Sequence, residues 1–365
     1  MMFWFFGCQL AMGPSVDEVP AAKSDHATLA LITIDTWRAD HLSKELTPSI
    51  WALSEAGERY ENAWSPMGLT TPAHASMLTG LMPWDHGAWA NNHHGYAVNS
   101  TVELLPERYA DWATGAFVSA YPAGPEGGLD RGWERFDGPQ TGERPGGVAV
   151  ERALDWLPSD RPALLWVHVY EPHGPYEGRG LSERERYAEE VQLADRLLTP
   201  LIDVLKARQA TIVVTSDHGE VLDEERCSYQ HERSISEHVL RVPMVRWGPG
   251  IEPRVVTEWV GLSEVPALLN REPVSARDRW VGQSGMCESD CAPGCAPAGL
   301  QGRDTVAIDA GGRQVNRPGK GRFTVGQPLL DLGVSLDAVP PVPPPLLDRT
   351  DHARSLGYID PPDEP

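Results

Sequence analysis

Four uninterrupted runs of apolar residues alternate with helical patterns along the first two thirds of the chain. The runs lie at residues 27–35, 114–120, 163–170 and 210–217. A continuous run of this length is typical of a strand that is buried on both faces of a parallel sheet. Helical periodicity indicates helices at residues 47–57, 72–80, 146–157 and 183–207. Strands that alternate with helices predict a three-layer α/β/α sandwich.

The periodicity weakens after about residue 252, where the chain carries a hairpin pattern at 304–317 and a proline-rich stretch at 339–348. We therefore predict three parts. They are a signal-like segment with its linker (1–26), a main domain (27–252) and a reduced C-terminal subdomain (253–365).

Polar residues end three of the four predicted strands. Asp35 ends the first, Glu171 and His173 follow the third, and Asp217-His218 follow the fourth. Ligand sites of open α/β sheets lie outside the carboxyl ends of the strands, so we expect these side chains to converge. An acid at one strand end can also be a helix N-cap, and Asp35 alone would therefore indicate little.

The balance of charges bears on what these residues could bind. The chain has 52 Asp and Glu against 31 Lys and Arg, which gives a formal net charge of −21. Such a surface repels polyanions, so no nucleic acid partner is expected. An anionic substrate needs a local positive charge, and a bound metal ion supplies one. Carboxylate beside imidazole favours Zn²⁺ or Mn²⁺, with Ca²⁺ as the alternative.

The histidines add candidates to this strand-end site. Those that stand at the edges of predicted elements, beside other polar candidates, are His74, His173, His218 and His231. His93 and His94 lie in a polar loop, and His168 lies within a predicted strand. We expect His168 to be a core residue.

The N-terminal segment and the cysteines indicate an exported protein. Gly7 and Cys8 follow a short apolar run, as in bacterial lipoprotein signals, although no basic residues precede it. A plain export signal or an apolar tail is the alternative. The remaining cysteines number four, which fits two disulfides in an oxidising compartment: Cys227, Cys287, Cys291 and Cys295. Zinc is less favoured there because the spacing is poor and no histidine is near. We expect a periplasmic protein or a lipoprotein anchored to the membrane at Cys8.

Several short segments occur in a fixed order along the chain. They read LITIDTWRADHL, TPSIWALSEAGERYENAWS, TTPAHASMLTGLMPWDHG, VHVYEPHGPY, VTSDHGE and LRVPMVRWGPG, with ARSLGYI near the end. Their order, spacing and wording over about residues 27–250 resemble the sulfatase family of the alkaline phosphatase superfamily. The resemblance implies an alkaline phosphatase-like fold and a metal-dependent enzyme that hydrolyses sulfate or phosphate esters.

The resemblance also implies roles for single residues. Asp35, Asp217 and His218 match metal ligands. Thr70 stands where formylglycine sulfatases have the converted cysteine, and superfamily members that act on phosphorus often place a metal-bound threonine or serine there. Thr70 is therefore implied as nucleophile and ligand, because metal coordination lowers the pKa of a hydroxyl. Thr71 takes the variable position of the motif and is expected to cap the following helix.

Three histidines match positions that surround the anion in the family. His74 replaces the motif's arginine, which organises the nucleophile and the anion. His173 would contact the anion or protonate the leaving oxygen, and His231 matches a lysine or histidine that contacts the anion. Glu171 is either a further ligand or a salt-bridged strand end. Arg38 and Asp40 are expected to brace the turn after Asp35.

The sequence also departs from the formylglycine sulfatases. Formylglycine cannot form at Thr70, no lysine occurs between Lys44 and Lys206, and Thr36 replaces the second acid of an Asp-Asp pair. We therefore expect a Zn²⁺ or Mn²⁺ hydrolase that cleaves a small-molecule or glycan ester through a covalent Thr70 intermediate. The alternatives are a transferase that modifies an envelope polymer and a non-catalytic protein that binds a sulfated or phosphorylated glycan.

Overall fold

The structure is a computed structural model that describes residues 27–91, 95–222, 231–274, 279–284, 305–309, 312–317 and 321–326. The Cys8 segment, the four other cysteines, His93, His94 and the C-terminal ARSLGYI lie outside the described residues. Within the described ranges, no helix has both the length and the apolar character needed to cross a membrane.

A large mixed sheet forms the centre of the fold. Its eight strands are β1 (Thr28–Ile34), β2 (Glu58–Trp64), β3 (Ala113–Val118), β4 (Arg135–Asp137), β5 (Ala163–Val169), β6 (Thr211–Ser216), β7 (Arg241–Trp247) and β8 (Arg254–Gly261). They are arranged in the order β4-β3-β5-β1-β6-β7-β2-β8. β7 runs antiparallel to both its neighbours, and the other paired strands are parallel. The carboxyl ends of β1, β5 and β6 consequently meet at one edge.

A second, antiparallel sheet of four strands has the order β12-β11-β10-β9. Its strands are β9 (Arg279–Gln283), β10 (Thr305–Asp309), β11 (Gly312–Arg317) and β12 (Gly321–Gly326). The pairing of β10 with β11 confirms the hairpin predicted at residues 304–317.

Helices cover both faces of the large sheet. They are α1 (Pro48–Glu55), α2 (Thr70–Thr79), α3 (Pro83–His86), α4 (Gly146–Trp156), α5 (Glu183–Ala207), α6 (Glu237–Leu240) and α7 (Val265–Leu269). Apolar residues of α1, α4 and α5 form one buried cluster with the sheet, and those of α2 and α7 form another.

The two clusters correspond to the two faces of the strands. Along β1, Leu29 and Leu31 belong to the cluster with α2, whereas Ile32 and Ile34 belong to the cluster with α4 and α5. Because side chains alternate along a strand, Thr33 faces α2 together with Leu31. Both faces are buried, which is why these strands read as continuous apolar runs.

The predicted architecture is confirmed. All four predicted strands and all four predicted helices are present with ends shifted by about two residues at most, which is the usual uncertainty of such boundaries. One difference concerns the end of the main domain. β8 pairs with β2 in the large sheet and α7 packs on that sheet, so the sheet continues past the boundary placed at residue 252.

Candidate active site

The three expected metal ligands lie together at the carboxyl ends of β1 and β6. Asp35 directly follows β1, and Asp217 and His218 directly follow the adjacent β6. The Nε2 atom of His218 lies 3.5 Å from Asp217 Oδ2 and 3.9 Å from Asp35 Oδ1. One ligand atom from each residue lies within 4.8 Å of the other two. The side chains therefore converge as the sequence predicted.

These residues fit a divalent cation. Asp35 Oδ1, Asp217 Oδ2 and His218 Nε2 are buried and have no hydrogen-bond partner among the described residues. Burial and the charge of Asp217 raise the pKa of Asp35, because two buried carboxylates resist ionising side by side. The His218 Nδ1 atom lies 3.0 Å from the Gly219 carbonyl, which can only accept a hydrogen bond. Nδ1 therefore carries the proton, and Nε2 turns a lone pair towards the two acids.

A strained turn holds the two acids in place. Asp217 Oδ1 accepts hydrogen bonds from the backbone N–H of His218 at 2.8 Å and of Thr36 at 3.2 Å. Thr36 has φ +52°, and its carbonyl accepts a hydrogen bond from the Tyr187 hydroxyl at 2.8 Å. A β-branched residue in the left-handed region is an outlier that its surroundings must enforce. The turn after β1 is thereby fastened to the end of β6.

Thr70 is the first residue of α2, and its helix begins beside these acids. No residue in the described part of the chain hydrogen-bonds the Thr70 hydroxyl. The Thr71 hydroxyl donates to the Pro122 carbonyl at 2.6 Å, and the N-cap position belongs to Leu69. The prediction that Thr71 caps the helix is therefore wrong. Because the Thr71 hydroxyl is bound to the Pro122 carbonyl, Thr70 is the better candidate for a nucleophile.

His74 lies between Thr70 and the metal ligands. Its Nδ1 atom is 2.8 Å from the Thr70 carbonyl and 3.8 Å from Asp217 Oδ2, and its Nε2 atom is 3.0 Å from Thr33 Oγ1. Burial lowers the pKa of His74 to about 4, so the ring is neutral near pH 7. It therefore lacks the charge of the arginine whose position it occupies.

His231 brings a positive charge to the site. Its ring stacks on His218 with centroids 4.4 Å apart, and its Nδ1 atom lies 3.3 Å from Glu220 Oε2. Burial alone would lower the pKa of His231, but the carboxylates of Glu220, Glu232 and Asp35 together outweigh burial, with Glu220 contributing most, and raise the pKa to about 9. His231 is therefore a cation at neutral pH, in a part of the sequence that has no lysine.

His173 lies between His231 and an open cavity. Its ring meets the His231 ring edge to face, with centroids 5.2 Å apart, and stacks on Tyr170 at 4.6 Å. Its Nδ1 atom lies 2.7 Å from the Gly174 carbonyl, which leaves Nε2 available. The adjoining cavity of about 870 Å³ is lined by His173, Tyr170 and charged side chains that include Arg144 and Arg179. It has room for a substrate larger than the ester group.

Two site residues escaped the sequence prediction. His168 is buried as expected, yet its Nε2 atom lies 3.5 Å from Asp35 Oδ2, so its ring also belongs to the site. Glu220, the partner of His231, is buried two residues after His218. Its place in the segment VTSDHGE was the signal that could have identified it.

Other residues that the sequence singled out form hydrogen bonds with backbone groups around the site. Both Glu171 oxygens accept hydrogen bonds from the N–H of Gly146, at 3.0 and 3.2 Å, so this carboxylate caps α4. Arg38 contacts Asp40 at 2.7 and 3.0 Å and donates to the Glu220 carbonyl at 3.3 Å. Arg38 and Asp40 therefore brace the turn as expected.

Comparisons with known proteins agree with this fold. The Sulfatase family model matches residues 28–270. An uncharacterised pyrophosphatase/phosphodiesterase of Schizosaccharomyces pombe is 27% identical over 224 residues, which are 53% of this chain and 44% of the relative. The chain therefore matches less than half the length of this relative.

Among solved structures, the phosphonate monoester hydrolase SpPMH of Silicibacter pomeroyi superposes with a TM-score of 0.62 at 15% identity. The match covers 82% of this chain and 89% of that chain. A putative sulfatase from Bacteroides thetaiotaomicron gives a TM-score of 0.62 at 14% identity, covering 83% and 85%. At these identities, the likeness establishes a common fold.

Proposed function

The chain belongs to the sulfatase family of the alkaline phosphatase superfamily, and we propose that it hydrolyses a phosphorus ester through a covalent Thr70 intermediate. Hydrolysis of sulfate or phosphate esters is the activity of the family. The proposed metal ligands are Asp35, Asp217, His218 and Thr70, and His218 favours Zn²⁺ or Mn²⁺ over Ca²⁺.

One observation carries this proposal. Three unpartnered ligand atoms, two carboxylate oxygens and one imidazole nitrogen, converge, and one of them, Asp217 Oδ2, lies 3.8 Å from Nδ1 of His74 on the helix that begins at Thr70. The neighbouring Thr71 hydroxyl is taken by a carbonyl, whereas no described residue hydrogen-bonds the Thr70 hydroxyl. Burying these two carboxylates and the imidazole without a cation would be energetically costly. A non-catalytic binding protein would not need this cluster.

The protein's own residues would share the chemical work. When bound, a divalent ion supplies Lewis acidity that lowers the pKa of a coordinating hydroxyl and offsets charge on the ester oxygens. The Thr70 oxygen forms a bond to phosphorus while the bond from phosphorus to the leaving oxygen breaks. The N–H groups of the first turn of α2 and the charge of His231 face the anionic ester and stabilise it.

His173 is the proposed proton carrier. With both ring nitrogens protonated and Nδ1–H donating to the Gly174 carbonyl, Nε2 can give its proton to the leaving oxygen in the first step. The same nitrogen then accepts a proton from the water that cleaves the Thr70 ester and releases the product. The cavity beside His173 would hold the organic part of a small-molecule or glycan ester. Export to a bacterial envelope is a further proposal, based on the sequence around Cys8.

A panel of aryl esters tests the proposal. Purified protein with Zn²⁺, Mn²⁺ or Ca²⁺ is assayed against aryl phosphate monoester, phosphate diester, phosphonate ester and sulfate. We expect turnover of a phosphorus ester, and acid quenching should trap Thr70 with the mass of the transferred group. Thr70→Ala should lose at least about 10⁴-fold in kcat while it retains metal and fold.

Thr71→Val is the matched control. It loses the hydrogen bond to the Pro122 carbonyl but leaves Thr70 in place, so its kcat should stay within about threefold of wild type. A Thr70→Ala variant as active as Thr71→Val would exclude the nucleophile. Aryl sulfate as the preferred substrate would exclude the phosphorus ester.

A further inference from the structure

A chain of buried hydrogen bonds links the strand of Asp35 to the helix of Thr70. Trp166 Nε1 donates to Thr33 Oγ1 at 3.0 Å, Thr33 Oγ1 lies 3.0 Å from His74 Nε2, and His74 Nδ1 lies 2.8 Å from the Thr70 carbonyl. Trp166, Thr33 and His74 are fully buried. We call Trp166, Thr33, His74 and the Thr70 carbonyl the Thr33 relay.

The two ends of the Thr33 relay fix the direction of the hydrogen bonds that they make. The indole N–H of Trp166 can only donate, and the Thr70 carbonyl can only accept. His74 therefore carries a proton on Nδ1, and in the neutral ring Nε2 accepts the hydroxyl proton of Thr33. Both nitrogens are used within the protein, so neither remains to contact a substrate.

We infer that Thr33 and His74 are positioning residues that set where the Thr70 hydroxyl lies relative to the metal ligands. This inference rests on the proposed role of Thr70 as nucleophile. Thr33 stands two residues before Asp35, and side chains at such positions share one face of a strand. The relay therefore ties the first turn of α2 to the same strand that presents Asp35.

The surroundings leave the His74 ring little freedom. It packs against Trp166 and His168, with ring centroids 5.1 and 4.8 Å away, and its Nδ1 lies 3.8 Å from Asp217 Oδ2. If the imidazole ring flipped by 180°, its nitrogens would lose their hydrogen bonds to the Thr70 carbonyl and Thr33 Oγ1 in a fully buried environment. A displacement of about 1 Å in a reacting group can cost about 100-fold in rate. Loss of the relay is therefore expected to lower the turnover rate strongly.

Paired threonine variants provide the test. Thr33→Val keeps the shape of the side chain but removes both hydrogen bonds, and Thr33→Ser keeps the hydroxyl. The control is Thr215→Val, because Thr215 stands two residues before Asp217 on β6, beside Thr33 in the sheet, and its buried hydroxyl donates to the Pro243 carbonyl and to no member of the relay. Each variant is assayed for metal content and for kcat and KM on the aryl ester that wild type turns over.

We expect Thr33→Val to lose about 10- to 100-fold in kcat. Its KM and metal content should be unchanged, and Thr33→Ser should recover most of the loss. Thr215→Val should keep the kcat of wild type. A Thr33→Val variant that loses no more kcat than Thr215→Val would overturn the inference, and so would a loss that Thr33→Ser does not recover.

Nitrogen-15 NMR of histidine-labelled protein tests the relay without any turnover. The His74 signals are identified by their absence in His74→Gln, and they should show an Nδ1–H ring in wild type and in Thr33→Ser. A ring protonated on Nε2 or on both nitrogens would exclude the relay, even if Thr33→Val does not fold. An active Thr70→Ala would instead refute the proposed function, and the NMR result would be unaffected.

Discussion

The Nδ1 atom of His74 lies 3.8 Å from the Oδ2 atom of Asp217. His74 therefore lies next to both parts of the candidate site. It contacts the carbonyl of Thr70, the proposed nucleophile, and it lies near Asp217, a proposed metal ligand. His74 is neutral and buried, so positive charge at the site comes from His231 and from the cation proposed at Asp35, Asp217 and His218. The positive charge of the site therefore does not come from the motif position that an arginine would hold.

Asp217→Asn should abolish metal binding without unfolding the protein. The asparagine oxygen can still accept the N–H groups of Thr36 and His218, but one of two adjacent carboxylates is gone. We expect more than about a 100-fold loss of affinity for Zn²⁺ or Mn²⁺ by elemental analysis and titration. Metal at 100 times its Kd should stabilise wild type by about 2.7 kcal/mol and the variant by much less. Equal metal content in both proteins would contradict the assignment.

Removing the partner of His231 should change how stability and activity depend on pH. The pKa of His231 is about 9 in the folded protein and 6.5 for a free side chain. Its stabilising contribution is therefore complete below about pH 6.5 and disappears as the pH rises through about 9. Glu220→Gln should lower this pKa, so the alkaline fall in stability and in kcat/KM should begin at a lower pH.

Urea unfolding and kcat/KM profiles across this pH range test the Glu220 prediction. Glu232→Gln is the control, because Glu232 also raises the pKa of His231 but less than Glu220 does. Its profile should shift less. Superimposable profiles for wild type and Glu220→Gln would refute the role of Glu220.

Gly219→Ala should destabilise the fold strongly. A Cβ at this position would lie 1.9 Å from the carbonyl oxygen of His238, which is a backbone atom and cannot move aside. We expect a loss of about 3 kcal/mol or more in the free energy of unfolding, measured with urea. Gly147→Ala in α4 is the control, because its Cβ would meet only Leu197 Cδ2, at 3.2 Å. It should be neutral or stabilise by up to about 1 kcal/mol, and equal losses would disprove the packing argument.

Asp195 should contribute to stability as a cap supplied from another helix. Its carboxylate, on α5, accepts the backbone N–H groups of Ser49 at 3.1 Å and Ile50 at 2.9 Å in the first turn of α1. Asp195→Ala leaves both groups unpartnered, and we expect a loss of about 2 kcal/mol in urea unfolding. Asp203→Ala, at an exposed position of the same helix, should change stability by less than about 0.5 kcal/mol. Similar values for the two variants would exclude the cap.

The central strands could be predicted from the sequence because both of their faces are buried. β1, β5 and β6 lie between two helical layers, so most positions along them are apolar. β8 escaped prediction because it lies at the edge of the sheet, where polar residues are tolerated and Val255 is 47% exposed. The main sheet therefore extends further along the chain than its apolar pattern does.

The site residues divide in a similar way. Asp35, Asp217 and His218 follow buried strands directly, and parallel topology alone brings such positions together. His168 was expected to be a core residue because periodicity predicts burial but not the partner that a side chain faces. Only the register of β5 against β1, in which His168 pairs with Thr33, places its ring beside Asp35. The partner of Thr71, the Pro122 carbonyl, likewise depends on long-range packing that local sequence does not contain.

The left-handed backbone of Thr36 has a consequence for how this site could change over time. Aspartate and asparagine adopt positive φ angles far more readily than a β-branched residue does, and glycine does so most easily. The turn at φ +52° is thus shaped for the aspartate that formylglycine sulfatases carry at this position, although threonine now occupies it. An aspartate at position 36 would therefore relieve strain on the order of 1 kcal/mol.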